Sequence, residues 1–224
     1  MSIRMLKILR LIIPGFMILI VILTIQNEDL LGLSKQLKAI DLSKKSFIFY
    51  IIPVILGAIY YALGLRNLFF KKPVQTIQQN IRDRLVSGFD NDPAISPYSD
   101  RLKENRKIIQ IFYRFVDSDP SLTEKSNNVR ANGVILSSFA DACVTSIFAM
   151  LMYGVLLVFF LSFYYLFLLM ISVVAFISSY YLFLPNMTGI HLYYSNSQID
   201  FIITNLHDEL GKAIEKLIEI DYAQ

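Results

Sequence analysis

One cysteine, two histidines and a shortage of charge are what the sequence first shows by omission. Cys143 has no second cysteine to pair with, so no disulfide can form within the chain and nothing marks an oxidising compartment. His191 and His207 stand 16 residues apart, with neither a cysteine nor another histidine at metal-ligand spacing, which argues against the histidine clusters of iron-dependent membrane enzymes. No G-x-S-x-G, P-loop, H-E-x-x-H or G-x-G-x-x-G occurs, so hydrolase-elbow, nucleotide-site and zinc-protease readings lack their signatures. Charged residues make up 17% of the chain, below the roughly 25% of a soluble domain. The net charge of +3 is too small to imply nucleic acid, and no direct nucleic-acid binding is expected. No catalytic residue, cofactor or metal is assigned, and the chain does not read as an enzyme.

What is present is long apolar sequence. Residues 142–184 form 43 consecutive positions without a charge. As one helix they would reach about 65 Å, against a hydrocarbon core roughly 30 Å thick. The run therefore reads as two spans, 142–161 and 166–185, joined in a tight hairpin. The reversal falls near Ser162 to Tyr165, where a hydroxyl and paired tyrosines suit the headgroup level. A buried soluble helix pair would need polar faces, and this run has none.

Two more spans precede it. Residues 1–25 comprise a basic end and a first span, apolar over 8–25 except for Arg10, which is close enough to the end to snorkel. TIQNED after it lacks a small-x-small cleavage pattern, so a retained anchor is expected rather than a signal peptide. Residues 47–65 form the second span. The loop 26–46 between them places Leu30, Leu33, Leu37 and Ile40 at helical spacing with lysines elsewhere; it is either a surface-lying helix or an ordinary connector. With both termini inside, the cytoplasmic side carries 17 basic residues against 4 in that loop, which sets the orientation in a bacterial inner membrane.

The segment 66–141 is the only sizeable polar region and reads as a small helical cytoplasmic insert. Pro73 opens a helix with the stripe Val74, Ile77, Ile81 and Leu85, ending near Gly88. Asp90 to Pro97 is a loop, and a second helix runs from Ser99, its N-cap, to Val116, with Leu102, Ile109, Phe112 and Val116 inward. DSDPSL starts a third, short helix that Asn132-Gly133 stops. The tail 197–222 is an amphipathic helix in which Ile199, Ile203, Leu206, Leu210, Ala213, Leu217 and Ile220 alternate steps of four and three, a coiled-coil seam opened by a Ser197/Asp200 capping box. That seam either docks on the chain's own helices or serves self-association or a partner, and association is preferred because the stripe is long. The fold expected is thus an all-α polytopic membrane protein of four spans in two hairpins.

The spans hold no ionisable group near their centres, which argues against a coupled transporter. Gly57, Ser146, Gly154, Ser172 and Ser178 are small or hydroxyl residues suited to close helix packing, or else to lining a pore built from several subunits. In plan, two N-terminal spans, a helical cytoplasmic insert, a second hairpin and a cytoplasmic tail, and in span count and length, the chain resembles the small four-span proteins of bacterial antiviral defence loci. Examples are the membrane subunit of Kiwa-type systems and the membrane accessory proteins of RNA-targeting CRISPR systems. The resemblance covers the whole chain and implies a homo-oligomer that senses or perturbs the inner membrane and works with a cytoplasmic effector. Three roles follow: an oligomeric sensor or scaffold between the lipid bilayer and a cytoplasmic protein partner, a homo-oligomeric pore or membrane-disrupting effector, and a lipid-modifying enzyme around Asp141, Arg130 or His191.

Overall fold

A computed structural model describes residues 3–26 and 46–222, and every described regular element is helical. The loop expected at 26–46, with its four-residue apolar stripe, lies almost wholly outside the described residues. The helices are α1 (Ile3–Gln26), α2 (Ser46–Ala62), α3 (Asn67–Ser87), α4 (Ser99–Glu104), α5 (Lys107–Ser118), α6 (Pro120–Phe160), α7 (Phe163–Ile177), α8 (Leu184–Asn205) and α9 (His207–Tyr222), with a short 3₁₀ turn at Ser96–Tyr98 and a π-helical stretch at Ser178–Phe183. Among the described residues three stretches are long and apolar enough to cross a membrane: Met5–Ile25, Pro120–Phe160 and Phe163–Asn205. A fourth is added if α2 and α3 are taken as one bent span. The chain divides into two compact units, residues 1–71 with 134–186 and residues 72–133 with 187–224.

In the first unit, α1 crosses α2 at two glycines. A Cβ on Gly15 would sit 1.8 Å from the Pro53 carbonyl oxygen, and one on Gly57 would sit 1.9 Å from that of Leu11. Only hydrogen side chains allow the two backbones to come this close, which is how helices gain contact where burying apolar surface gives little drive. Gly57 is therefore a packing residue. At the end of α2, Gly64 adopts φ +64° and its N–H bonds to the Tyr61 carbonyl, a left-handed helix stop that glycine accepts without strain. The α6–α7 reversal falls at Leu161 and Ser162. Leu161 has φ 48°, and the Ser162 hydroxyl accepts from the Tyr164 N–H at 3.2 Å, capping α7. The hairpin expected near Ser162 is thus present.

Inside this unit Val21, Ala149, Tyr153, Tyr165 and Leu168 form a core cluster. Its polar atoms are satisfied locally: the Thr24 and Tyr153 hydroxyls bond to each other, and the Tyr164 hydroxyl donates to the Thr24 carbonyl at 2.9 Å. Phe139 stacks on Phe183 at 4.5 Å, and Phe69 meets Phe176 and Tyr180 edge-on. The π-helical stretch ends beside Pro185, where the ladder already lacks a donor and a tighter turn would press the proline ring on a carbonyl.

In the second unit, Ile77, Ile81, Leu85 and Val86 of α3 are buried, as are Leu102 of α4, Ile108, Ile109, Phe112 and Val116 of α5, Leu122 of α6, Ile199 and Ile202 of α8, and Leu210, Ile214 and Leu217 of α9. Surface pairs Arg84–Asp200, Lys107–Asp221 and Arg130–Asp117 lie outside this core. Each is worth little by itself, so the apolar stripes carry the packing.

Five boundaries differ from expectation. Pro73 does not open α3 but lies inside it. The helix expected over 99–116 is two, because Asn105 is extended and its side chain accepts from the Lys107 N–H at 2.9 Å, starting α5 afresh. Ser99 is not an N-cap: Tyr98 holds that position, without a side-chain bond. Asn132-Gly133 does not stop a helix. Asn132 donates its amide to the Met187 carbonyl at 3.0 Å, and α6 continues to Phe160. Ser197 does not begin the tail helix, since it lies within α8, where it accepts from Lys125 at 3.2 Å; the break comes at Leu206 instead.

Candidate functional site

The most demanding polar arrangement lies in the first unit, where Tyr60 of α2, Arg66 just past the Gly64 turn and Asp141 of α6 meet. Arg66 donates from Nε to Asp141 Oδ1 and from Nη2 to Oδ2, both at 2.8 Å, a bidentate fork. The Tyr60 hydroxyl donates to Oδ1 at 2.9 Å. Arg66 Nη2 also reaches the Arg10 backbone carbonyl at 2.6 Å, tying α1 into the cluster. The Asp141 side chain is fully buried and that of Arg66 nearly so. Three of its roughly four acceptor sites are taken and no face of it reaches the surface, so the geometry suits an internal clamp rather than an approachable general base.

Sequence reading placed Arg66 and Asp141 at the ends of spans without joining them. A weak signal did exist: in an antiparallel bundle the end of the second span and the start of the third lie at one level, so a cation at one and an anion at the other become neighbours. His191 lies beside the Asn132 amide at 3.4 Å and Arg130 pairs with Asp117 at 2.8 Å, both in the second unit, whereas Asp141 belongs to the first. Among the described residues no group of three or more His, Cys, Asp or Glu side chains is placed to hold a metal ion.

The span candidates separate. Ser146 and Ser172 line one cavity of about 360 Å³ between α1, α6 and α7, with Met17, Val21 and Ala149. The Ser172 hydroxyl donates back to the Leu168 carbonyl at 2.9 Å and the neighbouring Thr145 hydroxyl to that of Asp141 at 2.5 Å, so these two hydroxyls are spent on their own helices and the cavity wall is apolar. Gly57 belongs to the α1–α2 crossing, Ser178 to the π-helical stretch, and Gly154 faces open space within 4 Å.

The tail seam is largely covered by its own unit. Ile199 and Leu210 are wholly buried, Leu217 nearly so, and Ile203 packs where a Cβ on Gly88 would touch it at 3.1 Å. The preference for association through the entire stripe is therefore corrected at these positions, because a side chain already inside a core has no surface to offer. Leu206 and Ala213 are half-buried, and Ile220 remains 60% exposed. Ala213, Leu217 and Ile220 line a groove of about 340 Å³ between α5 and α9, opposite Ile111 and edged by Lys107, Arg114 and Lys216. Asp221 lies beside it, and the Lys107 ammonium, helped by the Asn105 amide, holds its carboxyl below the usual carboxylate range.

No family model, curated protein or solved structure matches the chain.

Proposed function

We propose that the chain is a four-span inner-membrane protein with both termini in the cytoplasm, acting as an oligomeric sensor or scaffold that couples the bilayer to a cytoplasmic protein partner, in the setting of antiviral defence that its plan resembles. The observation that carries the partner reading is the α5–α9 groove. Ile220 is the one exposed large aliphatic side chain of the second unit among the described residues, and it stands in a concave, cation-edged surface. That chemistry suits an amphipathic segment with acidic flanks. Self-association is supported in the first unit, where Gly154 leaves a notch beside the exposed Leu151, Val155 and Val158 of α6, a surface that lets another span approach closely.

The test is affinity capture of the whole chain from cross-linked cells in mild detergent, in its native genomic setting, with native mass of the product. A defined soluble partner and a multimer are expected, with the partner lost in Ile220→Asp while the multimer persists. Monomer alone, with no partner in either form, would end the scaffold reading. The pore reading draws less support, because the Ser172 and Thr145 hydroxyls bond their own helices. Conductance in planar bilayers containing the purified protein would favour it.

A further inference from the structure

In the first unit Arg66 takes the Asp141 carboxylate, and the neighbouring guanidinium of Arg10 is left over. Asp141 gives both oxygens to Arg66 and one of them also to Tyr60. Arg10, whose carbonyl accepts from Arg66, is near enough for the two positive charges to repel. No described side chain forms an ion pair with Arg10, and its Nε is buried without a hydrogen-bond partner. A half-buried guanidinium beside a second cation, with an unmet donor, is an expensive arrangement unless an anion completes it.

We propose that Arg10, backed by Arg66, binds the phosphate of an anionic phospholipid at the cytoplasmic level of the bundle, an inference that rests on the membrane reading above. A phosphate diester offers charge and acceptor oxygens in the geometry the guanidinium fork prefers. Arg10 stands seven residues before Met17 on α1, whose side chain enters the apolar cavity lined by Ser146 and Ser172. At the rise of an α-helix that is about 10 Å, a separation that one lipid's headgroup and upper acyl chain span. A free phosphate would satisfy the arginine and leave the cavity unused.

The experiment is native mass spectrometry of the full chain released from nanodiscs of phosphatidylcholine with phosphatidylglycerol as the minor component. Retention of phosphatidylglycerol over phosphatidylcholine is expected for the native sequence. Arg10→Gln should reduce it about tenfold, Arg10→Lys less, because an ammonium keeps the charge and loses the fork. Lys7→Gln, which removes an exposed cation one turn away on α1, should change it little. Equal retention in Arg10→Gln and the native chain, or equal loss in Lys7→Gln and Arg10→Gln, would overturn the site and reduce the effect to diffuse charge. In a parallel arm, inorganic phosphate added in neutral detergent should not raise the melting temperature as much as phosphatidylglycerol does. An equal shift would make free phosphate the ligand and overturn the lipid assignment. A chain that enters no nanodisc at all would instead defeat the membrane reading, a distinguishable failure.

Discussion

The two units treat apolar side chains in opposite ways. In the first, Val158, Phe159 and Phe163 are 74%, 77% and 88% exposed, and the outward faces of α2, α6 and α7 are lined with more of the same. In the second, Ile95, Leu102, Ile199 and Leu210 are fully buried, and charged pairs stand on the surface. Water would penalise the first surface heavily and reward the second core, so the two units suit different surroundings. The polar interactions divide the same way. Among the described residues the first unit keeps its buried ion pair inside and turns several hydroxyls onto its own backbone, whereas the second has its ion pairs on the surface.

Substitutions that strike only one unit sharpen this contrast. The largest effect is expected from Arg66→Met, which leaves Asp141 buried without its cation and should cost about 3–5 kcal/mol. Thermal unfolding in detergent measures it, and adding Asp141→Leu should recover most of the loss. If the single change is silent, the pair does not clamp the first unit. Leu210→Asp, placing a charge in the core of the second unit, should cost about 3 kcal/mol and release that unit to proteolysis while membrane extraction stays normal. Survival of a protected second unit would show that the tail seam is not its core. Gly57→Ala drives a methyl into the Leu11 carbonyl and should cost about 1–3 kcal/mol by separating α1 from α2.

The smallest effect is a pH dependence. The Asp221 carboxyl is held below its ordinary value by Lys107 and Asn105, so its contribution is complete above the unfolded pKa of about 3.9 and is lost as pH falls through the lower folded value. Asp221→Asn should remove that part of the acid sensitivity of α9, read as the pH midpoint of limited proteolysis. An unchanged midpoint would show that the Lys107 contact does not hold the helix end.

Much of this division was legible in the sequence. The uncharged run placed the α6–α7 hairpin because no helix of 43 residues fits one bilayer, and the stripes Val74, Ile77, Ile81, Leu85 and Leu102, Ile109, Phe112, Val116 emerged buried except for Val74, which is half-buried. Asn132-Gly133 misled because such a pair ends a helix only where the backbone turns left-handed, and a tertiary bond from Asn132 to Met187 removes the reason to turn. Proline at 73 misled for a related cause: α3 had already begun at Asn67, out of the Gly64 turn. The ion pair escaped notice because 75 residues separate its partners, and no local pattern encodes a contact of that range. The seam at 199–220 was seen as apolar, but spacing alone cannot say whether the covering surface belongs to the same chain.

The central claim is that lipid surrounds the first unit while the second stays in the cytosol. It is tested most directly by impermeant maleimide labelling of intact spheroplasts, in a Cys143→Ala background carrying Ser34→Cys, Ser96→Cys or Asp208→Cys one at a time. The account predicts labelling at 34 in intact cells, and at 96 and 208 only after the membrane is broken. Labelling at 96 or 208 in intact cells, or equal labelling of all three in a soluble fraction, would contradict it.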